Sequence, residues 1–243
     1  MTRNNDITLK VSHLNKIYDT IKASDDITFC ARQGEIIALL GPNGAGKSTL
    51  MNMIAGYLAP TSGDIEVLGK NIGKAPLFAK ENIGFLPEGA PLYPDVSVKM
   101  FLNYMAELRQ VSKQRVAEVI EIANIKEITE QKIETLSKGY QRRVGFAQSI
   151  LNNPPLLLLD EPTDGLDPNQ KEYIRKLISD MAKDKTILIS THLLEEAETI
   201  CSRIILLDKG KIRADGKLSD ILQQTKTKNL ADAFRKLTTH KEN

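Results

Sequence analysis

The stretch "GPNGAGKST", residues 41–49, decides the fold class of this chain. It follows an apolar run, residues 36–40, that is typical of a buried strand, and it leads into a helical stretch that begins at Lys47. Its glycines let the backbone wrap tightly and present N–H groups to one side. Because the positive end of the following helix faces the same side, the stretch predicts an anion-binding loop between a strand and a helix.

The spacing of this loop, G-x-x-x-x-G-K-[ST], is that of a phosphate loop, and the flanking strand and helix argue against an accidental glycine-rich turn. We expect Lys47 to reach the β- and γ-phosphates of a nucleotide and Ser48 to offer its hydroxyl to Mg²⁺. The loop residues predicted to bind the nucleotide are Gly41, Asn43, Gly44, Ala45, Gly46, Lys47, Ser48 and Thr49. The loop alone leaves kinases, GTPases, motors and transport ATPases open.

A second stretch, "LLLLDE" at residues 156–161, narrows the choice. It is a short apolar run closed by Asp160 and Glu161, which predicts a buried strand with both acids at its carboxyl end. The phosphate loop opens on that side of a parallel sheet. We expect Asp160 to hold Mg²⁺ through water and Glu161 to orient or deprotonate an attacking water molecule.

Composition limits the classes of protein that fit. The chain has 243 residues, and Lys+Arg 33 against Asp+Glu 31 gives a net charge of only +2, so that nucleic acid is not expected as a partner. The charged N-terminal stretch lacks the apolar core of a signal peptide, and no window predicts a membrane span. Cys30 and Cys201 have no ligand-like spacing and are predicted to be reduced core residues.

The order of the elements predicts an α/β fold with a largely parallel sheet, because strands and helices alternate around the phosphate loop. Residues 96–135 instead repeat apolar side chains at helical spacing, which predicts inserted amphipathic helices whose core includes Phe101, Tyr104 and Leu108. "RIILLDKGKIRADG" carries Lys209-Gly210 between two extended halves and predicts a hairpin. Near the C-terminus the apolar residues Leu230, Phe234 and Leu237 fit one face of a closing helix.

A third stretch, "ETLSKGYQRRV" at residues 134–144, places a serine and a glycine before a helix. Taken with the first two, it resembles the ATP-binding subunit of ABC transporters over roughly residues 7–240. "GPNGAGKST" is similar to the family's Walker A loop, "LLLLDE" to its Walker B strand and "LSKGYQ" to its signature sequence. "GLD" at 165–167 is similar to its D-loop, and His192 in "STH" to its switch histidine. Tyr18 is placed like the aromatic residue that stacks on adenine.

The resemblance implies one P-loop NTPase domain over residues 1–243, with an N-terminal antiparallel β subdomain. Its RecA-like core would comprise about 1–90 and 154–222, its inserted helical subdomain about 91–153, and a short C-terminal tail 223–243. Two such domains pair head-to-tail in this family, here expected as a homodimer. Ser137 and Gly139 of one subunit would contact the γ-phosphate held by the loop of the other, Asp167 would lie at the seam, and His192 would sense the γ-phosphate.

The chain departs from the family at a few positions. In "FLPEGAPLYP", residues 85–94, Glu88 stands where the family has a glutamine that touches Mg²⁺, and a carboxylate can coordinate that ion at least as well as an amide. In the signature, Lys138 and Tyr140 differ from the common Leu-Ser-Gly-Gly-Gln pattern. Asp164 replaces a frequent serine or asparagine, and nothing in the sequence explains it.

These stretches are similar to the ABC-2-type branch, in which an ATPase on the inner face of the cell membrane, in the cytoplasm, works with a separate membrane permease, usually for export. The loop after Glu88 and the helical block, especially Tyr93 to Phe101, would form the docking surface. Two alternatives stay open. One is an ABC ATPase without a transport role, as in iron–sulfur assembly. The other is a GTPase or small-molecule kinase, although no Asn-Lys-x-Asp base-reading motif follows the loop.

Overall fold

The computed structural model describes residues 7–89 and 91–239, which form two β-sheets flanked by helices. The first residues of the predicted core and the last four of the predicted tail lie outside the described part. In chain order the strands are β1 Ile7–Tyr18, β2 Ile21–Arg32, β3 Ile36–Leu40, β4 Ser62–Val67, β5 Lys70–Asn71, β6 Ile83–Leu86, β7 Leu156–Asp160, β8 Thr186–Thr191, β9 Arg203–Asp208 and β10 Lys211–Gly216.

The larger sheet has, among the described residues, the strand order β10-β9-β3-β8-β7-β6. All neighbouring strands in it are parallel except β9 and β10, which form the predicted hairpin. The smaller sheet has the order β2-β1-β4-β5 and is antiparallel throughout. The structure therefore confirms the predicted α/β class with an antiparallel β subdomain.

The helices follow the strands in the alternation that the sequence predicts. They are α1 Lys47–Ile54, α2 Pro76–Asn82, α3 Val98–Leu108, α4 Lys113–Ile122, α5 Lys138–Ser149, α6 Pro168–Met181, α7 Leu194–Ile200, α8 Leu218–Thr225 and α9 Leu230–Thr238. Several begin at a side-chain cap: Ser97 accepts the Met100 N–H before α3, and Ser112 accepts the Arg115 N–H before α4. None of the helices in the described part combines the length and apolar character that a membrane span requires.

Alternating side chains divide the core between the two faces of the larger sheet. On β7, Leu157 and Leu159 pack with the helical block, whereas Leu156 and Leu158 pack with α1 and the smaller sheet. A third cluster joins α7, α8 and α9 to β9 and β10. Leu230 is fully buried in it and Phe234 and Leu237 pack against it, so the predicted closing helix is confirmed. Cys30 and Cys201 are both free and partly buried.

Helix α3 corrects one expectation. Its spacing predicts that Phe101, Tyr104 and Leu108 all face the core, but only Phe101 is buried, while Tyr104 is 46% and Leu108 60% exposed. Two overlapping apolar stripes run along this helix, and periodicity does not tell which one packs inward. Contact with the neighbouring helices selects the other stripe, whose members are Val98, Phe101, Leu102 and Ala106.

Candidate active site

A cleft of about 900 Å³ opens at the carboxyl edge of the larger sheet, where the adjacent strands β3, β8, β7 and β6 end. Loops leaving parallel strands at this edge bring distant sequence stretches together. The predicted residues that line the cleft are Asn43, Gly44, Ala45, Gly46, Lys47, Ser48, Thr49, Glu88, Asp160, Glu161 and His192. Four separate stretches predicted from sequence thus meet in one place: the phosphate loop, the loop with Glu88, the acidic end of β7 and the segment with His192.

The glycine-rich loop is held tightly at Gly46, which caps α1 with φ 101. A side chain at this position would place its Cβ 2.2 Å from the carbonyl oxygen of Ala23, so the backbone approach requires glycine. The β9–β10 hairpin closes the other side, because the Gly210 N–H donates to the Ala45 carbonyl at 3.0 Å. Neighbouring strands therefore fix the curvature of the loop before any ligand binds.

The side chain of Lys47 is enclosed by the backbone of its own loop. Its Nζ donates to the carbonyl oxygens of Gly41 at 2.7 Å and Pro42 at 3.1 Å. Burial lowers the pKa of this ammonium, and the carboxylates of Glu161, Asp160 and Glu88 act in the opposite direction. A buried cation held by weak carbonyl acceptors is suited to exchange them for phosphate oxygens, which carry full negative charge.

Glu161 and His192 form the polar pair on the opposite wall. His192 Nδ1 lies 2.8 Å from Glu161 Oε1. Burial raises the pKa of the Glu161 carboxyl, and the contact with His192 partly opposes that rise. A glutamate that is more basic than usual, next to an imidazole at a strand end, is suited to take a proton from water.

Behind this pair, a buried carboxylate joins the segment that follows Glu161 to the segment that carries His192. Glu196 is 1% exposed and accepts hydrogen bonds from the Thr191 hydroxyl, at 2.7 Å, and from the Thr163 hydroxyl. Thr163 follows Glu161 by two residues and Thr191 precedes His192. The contact therefore fixes the separation of the strand ends that carry the pair.

Ser48, Asp160 and Glu88 supply a hydroxyl and two carboxylates to the same cleft. Oxygen ligands of this kind fit Mg²⁺. Within the described residues no three His, Cys, Asp or Glu side chains form a self-sufficient metal site. A magnesium ion would therefore share its coordination between these side chains, water and the phosphates of a nucleotide.

The remaining predicted site residues are not among the described residues that line the cleft. Gly41 lies behind the loop as the carbonyl partner of Lys47, and Tyr18 is 45% exposed at the tip of the β1–β2 hairpin, beside the lining residue Ile21. Ser137 caps α5 and Asp167 caps α6 on a separate exposed surface. A side chain at Gly139 would meet Gln170, whose N–H Asp167 accepts, so these signature and D-loop residues adjoin each other.

Several residues of the site were not predicted. Ser190, Lys209 and Lys22 line the cleft, and the guanidinium of Arg142 contacts the backbone of both acids. Asp164, named above only as a departure from the family, also lines the cleft. Lys209 was predicted only as a turn residue. Because the β9–β10 hairpin contacts the phosphate loop, the tip of that hairpin lies beside the cleft. The contacts of Arg142 join the helical block to the sheet, and no sequence pattern around Arg142 predicts them.

A glycine-rich phosphate loop, an acidic strand end and a histidine in one cleft define a P-loop nucleoside triphosphatase. The family model described as "ABC transporter" matches residues 24–164. The chain belongs to the ABC transporter family, and it is an ATPase of that family.

Known relatives agree with this assignment. The chain is 35% identical over 218 residues to the linearmycin resistance ATP-binding protein LnrL of Bacillus subtilis (strain 168), covering 88% of this chain and 70% of the relative. It is also 35% identical over 209 residues to the Nod factor export ATP-binding protein I of Burkholderia orbicola (strain AU 1054), covering 84% and 69%. A solved dimeric ATP-binding cassette in a post-hydrolysis state with ADP and Pi has TM-score 0.81 and 27% identity, covering 86% of this chain and 98% of that one.

Proposed function

We propose that this chain is the ATP-hydrolysing subunit of a transporter of the ABC-2 type and that it energises a separate membrane permease, as an exporter. The observation that carries the proposal is an exposed apolar surface on α3 and the loop before it. We name it the α3 patch and define it as Tyr93, Met100, Tyr104 and Leu108, whose exposures are 51%, 60%, 46% and 60%. The export and resistance functions in the names of two relatives support the same class.

The α3 patch has a definite form. Met100, Tyr104 and Leu108 follow each other at intervals of one helical turn, and the ring of Tyr93 lies 6.0 Å from that of Tyr104. Tyr93 also packs edge-on against buried Phe101 at 5.7 Å, which holds it in place. A contiguous apolar surface on a folded chain marks a site of protein contact.

The α3 patch is connected to the catalytic cleft through the loop that carries Glu88. This loop leaves β6 at Leu86 and reaches Tyr93 within seven residues. On the other side, Tyr57 is 77% exposed, and its ring lies 5.6 Å from that of Phe85 on β6. A permease helix seated on this surface would press on the segment that presents Glu88 to the nucleotide.

Hydrolysis is proposed to occur in a head-to-tail dimer of two such chains. The phosphate loop and Lys47 would hold the β- and γ-phosphates, and Ser137 and Gly139 of the second subunit would contact the γ-phosphate from the other side. Glu161 would take a proton from the attacking water, and His192 would hold that water and the γ-phosphate in line. Mg²⁺ bound by Ser48, Asp160 and Glu88 would neutralise charge on the phosphates.

The test is an affinity purification of tagged Glu161→Gln protein with ATP from solubilised membranes of the source cell, followed by mass spectrometry. We expect a multi-span permease to co-purify, because loss of the base should trap the ATP-bound state. Met100→Glu and Tyr104→Glu together should abolish that capture. Leu68→Glu, which charges an exposed apolar residue of the β4–β5 turn instead, should retain it. Recovery of soluble partners alone would assign the chain to the non-transport class.

A further inference from the structure

Arg142 stands out because its guanidinium leaves the helix that carries it and contacts the catalytic loops. It lies on α5 and is only 8% exposed. Nη1 donates to the carbonyl of Pro87 at 2.8 Å, and Nη2 donates to the carbonyls of Asp160 and of Glu161, the latter at 2.6 Å. The side chain therefore joins the helical block to two separate strand ends of the larger sheet.

The carbonyls that it binds belong to the backbone of the site. Pro87 immediately precedes Glu88, and Asp160 and Glu161 are the two acids at the end of β7. Glu161 itself has φ 50, a left-handed conformation that few non-glycine residues adopt and that surrounding contacts must hold. Arg142 provides such contacts on one side of that residue, and the Ser190 carbonyl accepts the Glu161 N–H at 2.8 Å on the other.

Burying this guanidinium is costly. Burial lowers the pKa of Arg142, and the carboxylates of Asp160, Asp164, Glu161 and Glu88 act in the opposite direction. Within the described part of the chain its Nε has no hydrogen-bond partner. An apolar side chain could fill the same space without this desolvation cost. The presence of a charged side chain here therefore indicates a role in holding the carbonyls.

Ser137 caps the N-terminus of helix α5 and lies five residues before Arg142, which is about 7.5 Å along a helix axis. A helix is stiff over this length. Any shift of its N-terminus will therefore move the guanidinium relative to Glu161 and Glu88.

We propose that Arg142 is a positioning residue that sets the backbone of Glu161 and Glu88 and transmits engagement of Ser137 by the nucleotide of the other subunit to these acids. The transmission rests on the proposed head-to-tail dimer, whereas the positioning does not. Arg142 is not among the described residues that line the cleft, so it would act through the residues that it holds.

Arg143 offers a matched control on the same helix. It is 7% exposed, and its Nε also has no partner among the described residues. Its Nη1 donates to the Asn124 carbonyl at 3.2 Å, and its guanidinium lies over the rings of Tyr140 and Tyr173. These contacts stay within the helical block and its boundary with α6, away from the acid loops.

The experiment compares Arg142→Gln, Arg142→Lys and Arg143→Gln in purified protein without a permease. We measure kcat and KM for ATP, the Hill coefficient, and Tm. Arg142→Gln should lower kcat about tenfold or more with KM within about twofold of wild type, and its Hill coefficient should fall toward about one. Arg142→Lys keeps the positive charge but lacks the two Nη donors of the planar guanidinium. Its kcat should therefore lie between those of Arg142→Gln and wild type. Arg143→Gln should lower Tm while retaining kcat and cooperativity.

Equal kcat losses in Arg142→Gln and Arg143→Gln at similar Tm would overturn the positioning role. The dimer is tested separately in the wild-type protein. If its ATPase rate per subunit did not depend on protein concentration over a range in which light scattering shows only monomers, the dimer and the transmission would both be overturned. A selective kcat loss in Arg142→Gln would still establish positioning.

Discussion

At the scale of single residues, the proposed chemistry depends on how burial and contacts set the basicity of Glu161. Its carboxyl is desolvated enough to have a raised pKa and is aligned by His192 2.8 Å away. Glu161→Gln keeps the shape of the side chain but removes the carboxylate that we propose as the base. We therefore expect a loss in kcat on the order of a hundredfold or more with ATP binding retained.

Steady-state ATPase assays and nucleotide-binding titrations check this expectation. Glu195→Gln is the control, because Glu195 is an exposed glutamate that pairs with Arg175 at the surface. Near-normal turnover of the Glu161→Gln protein would remove Glu161 from the role of base.

Glu88 provides a second prediction at this scale. Its carboxylate acts on Lys47 within the cleft and would add negative charge near the γ-phosphate when no metal is present. We expect the wild-type protein to depend on Mg²⁺ more strictly than Glu88→Gln, which should bind ATP more tightly in EDTA. Glu118→Gln, a change in a surface ion pair on α4, should leave Mg²⁺ dependence unaltered. Identical Mg²⁺ titrations of Glu88→Gln and wild type would refute the idea.

At the scale of elements, the phosphate loop is shaped by its neighbours as much as by its own glycines. Gly46 and Gly44 both have positive φ, 101 and 79, but only Gly46 has backbone within reach of an added Cβ. Gly44→Ala should therefore cost only about 1 kcal/mol of strain. Gly46→Ala should cost clearly more and abolish ATP binding, because β2 and the β9–β10 hairpin would have to move.

Urea unfolding and ATP titration of both variants test this difference. Equal stability of the two alanine variants would mean that the contact between the loop and Ala23 is not rigid.

The sequence predicts features of the fold and site well where the residues involved are close together in the chain. The loop, its strand and its helix are consecutive, and the strand-end rule brings Glu161 and His192 to one edge. The prediction that Tyr104 and Leu108 face the core was wrong, because the rotation of α3 about its axis is set by the elements that pack against it. Arg142 was missed for the same reason, since its partners lie at the ends of β6 and β7 and only the packed fold brings them within reach.

At the scale of the whole molecule, Ser137 and Asp167 lie on a surface that is not part of the cleft lining given by the described residues. Both residues are exposed caps of helices α5 and α6. In a head-to-tail dimer, each surface would complete the cleft of the other subunit. Two inactive variants, Lys47→Ala and Ser137→Arg, should then restore activity when mixed, since the mixed dimer has one cleft with an intact loop and an intact signature.

Random pairing makes about half of the dimers mixed, each with one complete site of two, so the mixture should recover about a quarter of the wild-type rate. The ATPase rate is measured at equal total protein for each variant alone and for the mixture. Lys47→Ala mixed with a chain that carries both changes is the control, and it should stay inactive because neither loop is intact. A mixture of the single variants no more active than its components, at a concentration where wild type is active, would mean that each chain completes its own site.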